Sequence, residues 1–337
     1  MKTLPLGFVA LLGIVACGDD TSSGGSPSTG GAGAGGDGNG GSMMVSGGAG
    51  GIGASGAEGG GGSTTGGGGS GGSPACAGLP MGRVPATAVY SDFQGSEDLA
   101  FDGDGGLVAK NGGNLVRIDA SLTPTTFAPL SGTVYGLRFA PNGDLFAARN
   151  DMNTVVKVVG GTVTTFAMEL GGPNGVHVDS AGNVWVTEFG AGRVLRLDPN
   201  GAETVIASNL DAPNGVILDE TRNLLFFTEY FEGRVFRVDP AGGTPTEVVQ
   251  VGGALDGLEL DACGNLYVVD NQNDRIYRID LDADANLIGE PVLLAVTQEN
   301  IANAQFGRGP GWNATSLYAA GNPGVVYEIP GGVPGAF

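Results

Sequence analysis

The chain of 337 residues carries 35 Asp and Glu side chains against 15 Lys and Arg side chains, which gives a formal net charge of −20. This acidity repels phosphate groups, and no stripe of basic residues exists, so nucleic-acid binding and a basic membrane-binding patch are excluded. Glycine accounts for 66 residues, and 26 of them lie within residues 21–74. The composition therefore divides the chain into a leader, a glycine-rich linker and one large domain.

The first sixteen residues are predicted to be an export signal. Lys2 precedes an apolar run over residues 4–16, which is too short to span a bilayer as a permanent helix. The run closes in the string IVAC, which resembles the lipobox of bacterial lipoproteins. We expect cleavage after residue 16, lipid attachment to Cys17 and anchoring of the exported protein to the cell envelope, at the outer membrane or the periplasmic face. An ordinary secretory signal that contains a cysteine is the alternative.

Residues 17–74 are predicted to be a disordered tether that begins with the lipidated cysteine. Its Gly, Ser and Ala residues cannot bury enough apolar surface to fold. A flexible coil of this length has an r.m.s. reach of about 40 Å. The tether would hold the domain of residues 75–337 away from the membrane.

Five segments of that domain repeat one pattern of alternating strand, polar turn, second strand, second turn and third strand. The copies begin at Ser96, Val134, Pro173, Pro213 and Leu255, and a degraded sixth copy begins at Asn303. Equivalent residues in successive copies are 38, 39, 40, 42 and 47 positions apart. Units of this length built from period-2 strands are typical of propeller blades. The sequence therefore predicts an all-β fold, a six-bladed β-propeller.

The sixth blade is predicted to be completed by the start of the domain. Its own copy supplies strands over 304–306, 317–320 and 325–329, and an early strand over 87–93 would add the fourth. This topology places Cys76 and Cys263 on the same face, opposite the starts of the inner strands. Export would permit a disulfide between them, so a bridge and two unpaired thiols both remain open.

One polar or aromatic residue begins the inner strand of every predicted blade. Since the inner strands line the central channel, these residues should converge at its mouth. Carboxylate and amide oxygens are the ligands that Ca²⁺ prefers, although Asn-Gly and Asp-Gly are also ordinary turn dipeptides. The six residues are Glu97, Tyr135, Asn174, Asn214, Asp256 and Asn303.

Most of residues 90–330 resembles the SMP-30/gluconolactonase/luciferin-regenerating-enzyme family of propellers. These proteins hold a divalent metal ion with a Glu from blade one, an Asn from each of blades three and four, and an Asp from blade five. The resemblance implies a metal site, with Ca²⁺ or another divalent cation, at the matching positions of this chain. Those positions are Glu97, Asn174, Asn214 and Asp256.

The resemblance also implies metal-dependent hydrolysis of a small-molecule lactone or related ester. We expect the protein to be a monomer. Asp256 would act as the general base. Side chains that could contact substrate are Arg149, Asn150, His177 and Asn303. Two alternative functions remain open. One is a non-catalytic surface propeller that binds a glycan or a protein and keeps a structural metal ion; the other is a lyase or synthase on the same scaffold.

Overall fold

The computed structural model of the protein describes residues 74–336. The predicted signal over 1–16, the lipidation site at Cys17 and the predicted linker up to residue 73 lie outside the described residues. The described part forms six four-stranded antiparallel sheets, which are the six predicted blades. Two short 3-10 helices accompany them, at Pro74–Gly78 and Asn150–Met152. Within this part of the chain, no helix is long and apolar enough to cross a membrane.

Blades one to five each run from an inner to an outer strand in chain order. Blade one contains β2 (Leu99–Phe101), β3 (Gly106–Asn111), β4 (Asn114–Asp119) and β5 (Pro124–Pro129), and blade two contains β6 (Val134–Phe139), β7 (Leu145–Arg149), β8 (Thr154–Val159) and β9 (Thr162–Ala167). Blade three contains β10 (Pro173–Val178), β11 (Val184–Glu188), β12 (Arg193–Leu197) and β13 (Glu203–Ser208). Blade four contains β14 (Pro213–Asp219), β15 (Leu224–Glu229), β16 (Arg234–Val238) and β17 (Thr246–Gln250), and blade five contains β18 (Leu255–Leu260), β19 (Leu266–Asp270), β20 (Arg275–Ile279) and β21 (Val292–Val296).

Blade six is completed by the beginning of the domain, as predicted. Its strands are β22 (Asn303–Phe306), β23 (Ser316–Ala320) and β24 (Val326–Pro330), and β1 (Thr87–Tyr90) pairs with β24 as the fourth strand. Strand β1 ends three residues earlier than the sequence suggested. The chain turns inward there, because Phe93 is fully buried in the core between blades six and one.

The inner strands of neighbouring blades contact one another in an unbroken circle, from β2 through β6, β10, β14 and β18 to β22 and back to β2. Six hydrophobic clusters fill the six interfaces between adjacent blades. Trp185, Phe226 and Tyr267, each on a second strand, are buried in three of these clusters. Since both faces of a blade are covered by its neighbours, the second strands read as nearly continuous apolar runs.

The N-terminal segment is also held by a covalent bond. Cys76 and Cys263 form a disulfide with a Cα–Cα distance of 5.9 Å, which joins the chain ahead of β1 to the turn between β18 and β19. Of the two alternatives left open by the sequence, the structure contains the bridge. Blade five is thereby tied to the segment that closes blade six.

Candidate metal centre and substrate cavity

Five of the six residues predicted to converge do line one cavity at the mouth of the central channel. The cavity has a volume of about 380 Å³. The five residues are Glu97, Tyr135, Asn174, Asn214 and Asp256. They come from blades one to five, so only the folded ring brings them together.

β-Bulges aim four of these side chains at the axis. The ladders between first and second strands shift register between Val134 and Leu137, Pro173 and Val176, Pro213 and Val216, and Leu255 and Leu258. Each shift spans the cavity residue and the glycine after it, within a strand. The Asn-Gly and Asp-Gly pairs are therefore bulge residues and not turn dipeptides. A bulge commonly re-aims a side chain beside a functional site.

Asn303, the sixth predicted residue, does not line this cavity. The β22–β23 ladder runs from Asn303 to Phe306 without a register shift, so the bulge that turns the other four residues inward is missing. The Asn303 carboxamide instead accepts a hydrogen bond from the Ala304 N–H at 2.8 Å and fills the space above Gly257. Asn300 lines the cavity on the side of blade six.

The glycines that follow the cavity residues allow the next blade to approach closely. A Cβ atom on Gly215 would lie 2.6 Å from the carbonyl oxygen of Asp256, and one on Gly175 would overlap the carbonyl oxygen of Asn214. Neither glycine has a positive φ. Glycine is needed here for backbone proximity and not for a left-handed conformation.

Two buried threonines, which the sequence analysis did not single out, hold in place the inner strands that carry the candidate metal ligands. The Thr228 hydroxyl accepts a hydrogen bond from the Gly215 N–H at 2.8 Å and donates to the Asp256 carbonyl at 2.7 Å. Thr187 makes the same pair of bonds to Gly175 and to the Asn214 carbonyl, one blade earlier. These threonines could have been found from the sequence, because the strings VTE and FTE place them at equivalent positions of blades three and four.

The carboxylates of the cavity lack a cationic partner. Burial and the neighbouring charge of Asp98 raise the pKa of Glu97 to about 7. Burial and the charge of Glu97 hold the pKa of Asp256 well above its usual value, although a hydrogen bond with Asn214 opposes this. Among the described residues, no Lys, Arg or His side chain lines the cavity. Two acidic groups thus face one enclosed space without a balancing charge.

This donor set fits a hard divalent cation. Within residues 74–336, no three His, Cys, Asp or Glu side chains form a metal cluster, which excludes a site built from such ligands alone. Two carboxylates and two buried amides, from Glu97, Asp256, Asn174 and Asn214, supply oxygen ligands of the kind that Ca²⁺ binds, and their charge would balance one divalent ion. These four side chains are the ones that would hold it.

The remainder of the cavity wall consists of amide and aromatic side chains. Tyr230 donates from its hydroxyl to Asn271 at 3.0 Å, and Asn271 donates to Asn300 at 3.1 Å. Phe189 packs edge-on against Tyr230 at a centroid distance of 5.9 Å. Asn150, a predicted substrate contact, also lines the cavity and donates to the Pro173 carbonyl. A bound molecule would meet hydrogen-bonding groups and an apolar ring surface.

Arg149 and His177, the other two predicted substrate contacts, lie outside this cavity. Arg149 binds Asp151 through two hydrogen bonds, at 2.8 and 3.2 Å. His177 lies deeper in the channel near Arg138, and burial together with that positive charge holds its pKa well below the usual value. His177 is therefore neutral at physiological pH.

Below the cavity the channel is crossed by polar contacts. Arg138 of blade two donates to Glu259 of blade five at 3.0 Å, and these two blades stand on opposite sides of the ring. Gln305 of blade six donates to the Leu137 carbonyl at 3.1 Å. The cavity is thus reached from the face that Glu97 and Asp256 occupy.

The fold and the cavity together define a six-bladed propeller with a cavity lined by carboxylate and amide oxygens at its axis. The sequence profile of the SMP-30/Gluconolactonase/LRE-like region matches residues 112–307, more than half of the chain. The protein belongs to this family.

Comparison with individual proteins gives more distant similarities. The chain is 26% identical to the pentonolactonase XacC of Haloferax volcanii over 227 residues, which cover 63% of this chain and 76% of that protein. A gluconolactonase structure from Xanthomonas campestris superposes with a TM-score of 0.60 at 18% identity, covering 77% of this chain and 98% of that one. The calcium-binding protein regucalcin from Agrobacterium tumefaciens gives a TM-score of 0.61 at 18% identity, covering 76% and 97%. The two structures show a shared fold.

Proposed function

We propose that the protein is a calcium-dependent hydrolase of lactones or related esters. The observation that carries this proposal is the cavity in which Glu97, Asn174, Asn214 and Asp256 converge. Family membership and the similarity to a pentonolactonase support lactone hydrolysis in particular. A divalent cation held there would supply Lewis-acid chemistry, which polarises a carbonyl group and makes water more acidic.

The protein's own residues would orient the substrate and handle the proton. The Asp256 carboxylate, enclosed in the cavity and hydrogen-bonded to Asn214, would take a proton from the attacking water. The water oxygen bonds to the carbonyl carbon, the ring C–O bond breaks, and the ring oxygen leaves with a proton as a hydroxyl group. Asn150, Asn271 and Asn300 would bind hydroxyl or ring oxygens of the substrate.

Hydrolysis is tested with D-glucono-1,5-lactone, with acid release followed in a pH-stat. Asp256→Asn and Glu97→Gln should each lower kcat/KM by at least 100-fold, because each removes a cavity carboxylate. Asp144→Asn is the matched control, since Asp144 pairs with Lys157 away from the cavity and its loss should leave turnover within about twofold. Full turnover in both cavity variants would contradict the proposed site.

Calcium dependence is tested separately by thermal unfolding in EDTA and in Ca²⁺. A ligand at 100 times its Kd stabilises a protein by about 2.7 kcal/mol. For a domain of this size that corresponds to a rise in Tm of about 5–11 °C. The rise should vanish in Asp256→Asn. If metal-stripped wild-type protein shows no shift in Tm, the four side chains do not form a calcium site. That result would favour the alternative of a non-catalytic surface propeller.

We further propose that the protein is exported and lipid-anchored through Cys17. The apolar run and the IVAC string support this assignment. A glycine-rich tether would leave the substrate cavity accessible at a distance from the membrane.

A further inference from the structure

A second cavity of about 270 Å³ adjoins the metal-site cavity. Glu97 and Tyr135 line both, so the two spaces are neighbours separated by these side chains. The second space, here called the side cavity, lies between blades one and two. A small molecule with one end at the metal centre could place its other end there.

The side cavity contains a buried ammonium group. Lys110, at the end of the second strand of blade one, lines it and is only 6% exposed. Its Nζ donates to the carbonyl oxygen of Gly112. Within residues 74–336 Lys110 makes no ion pair, so a group with three donors has one acceptor here. Buried cations are usually paired, because desolvation of an unpaired charge is costly.

The surroundings of Lys110 do not neutralise it. Glu97, Arg149 and Asp151 are charged groups at the side cavity. Burial and the charge of Arg149 lower the pKa of Lys110, whereas the charge of Asp151 opposes them. Asp151 is already bound by two nitrogens of Arg149, and this ion pair lies against Gly132 in the cavity wall. Glu97 also lines the side cavity, yet no ion pair joins it to Lys110 within the described residues, so the Lys110 ammonium group has donors left for a ligand.

We propose that the side cavity receives an anionic substituent of the substrate, a carboxylate bound by Lys110, so that the preferred substrates are acidic lactones. This inference rests on the proposed lactonase function. A carboxylate accepts charge-assisted hydrogen bonds from an ammonium group, which are stronger than those of a neutral hydroxyl. The divalent cation would offset the repulsion between such a substrate and Glu97 or Asp256.

D-glucaro-1,4-lactone and D-glucono-1,4-lactone form a matched pair of probes. They share the ring and its carbonyl and differ at C6, where the first has a carboxylate and the second a hydroxymethyl group. In both, water adds to C1, the bond from C1 to the ring oxygen breaks, and that oxygen leaves as a hydroxyl. The measured quantity is the acidic preference, the ratio of kcat/KM for the acidic lactone to that for the neutral one.

Wild-type protein with Ca²⁺ should show an acidic preference of at least tenfold. Lys110→Met, which keeps the length of the side chain, should lower the preference to near one, mainly through KM for the acidic lactone. Lys110→Arg should keep most of it. Lys157→Met is the control, because it removes one positive charge at a side chain that pairs with Asp144 outside both cavities. An equal preference in wild type and Lys110→Met would overturn the inference, as would a wild-type preference of one or below.

Failure of the proposed function gives a different result. If neither lactone is hydrolysed, the lactonase proposal is contradicted, and the thermal shift that each lactone produces then tests the side cavity. A larger shift with the acidic lactone that is lost in Lys110→Met supports anion binding. Equal shifts overturn it.

Discussion

At the scale of single residues, side-chain hydroxyls bond the strands that carry the candidate metal ligands to the neighbouring blades. Thr228 lies on blade four, yet it bonds the carbonyl of Asp256 on blade five and the N–H of Gly215 on its own blade. Its side chain is fully buried, so water cannot replace either bond. The position of the Asp256 backbone therefore depends on a residue that does not touch the cavity.

Thr228→Val should lower the free energy of unfolding by about 1–3 kcal/mol, because it leaves a buried donor and a buried acceptor unpaired. It should also weaken calcium binding severalfold by loosening Asp256. Thr228→Ser should restore both properties, and Thr164→Val, at an exposed edge-strand position, serves as the control. Urea unfolding and calcium titration measure the two effects. Equal behaviour of the Val and Ser variants would show that the strands alone hold Asp256.

At the scale of elements, the ring is closed by β1 and by the disulfide. Strand β1 pairs with β24, so the start of the domain completes its last blade. The Cys76–Cys263 bond spans 187 residues and ties the same segment to blade five. A bond across such a long loop restricts the unfolded chain strongly. The two connections act on the same end of the chain and oppose opening of the ring.

Reduction of the Cys76–Cys263 bond should destabilise the domain by about 2–4 kcal/mol. For a domain of this size, that lowers Tm by several degrees. The double variant Cys76→Ser/Cys263→Ser should match reduced wild type and be insensitive to dithiothreitol, as measured by calorimetry. A wild-type Tm that does not change on full reduction, checked by thiol titration, would contradict a stabilising role.

At the scale of the whole molecule, the polar residues of the cavity converge because the blades form a closed circle. Five residues spread from 97 to 256 meet at one cavity, and the Arg138–Glu259 pair crosses the channel beneath them. Although the protein has a net charge of −20, the side chain of Lys110 lines a cavity that adjoins the carboxylates of Glu97 and Asp256. The charge of Lys110 would favour substrates with an anionic group. The proposed lipid anchor at Cys17 would determine where in the cell envelope the reaction takes place.

The proposed anchor is tested in a bacterial host that processes lipoproteins. The full chain should incorporate labelled palmitate and fractionate with membranes. Cys17→Ser should lose the label, while Cys76→Ser, which removes a different cysteine, should keep it. Label retained in Cys17→Ser would contradict lipidation at this residue.

The sequence by itself determined the number of blades, the closing strand and the residues at the mouth of the channel. Repeats in register make this possible, because equivalent positions of every blade must face the same axis. It could not separate Asn303 from the other five, since the missing bulge in blade six is a property of strand pairing.

Only the tertiary structure decided which side chains meet across blades. The Thr228–Asp256 hydrogen bond joins two blades, and the side cavity brings Lys110 of blade one next to Tyr135 of blade two. His177 lies near Arg138 of the preceding blade. The alternation of apolar and polar residues within one repeat predicts the strands of one blade. The cavities, in contrast, form where neighbouring blades meet. The residue types at the mouth of the channel could thus be predicted from the sequence, but the shape and charge of the cavity around them came from packing.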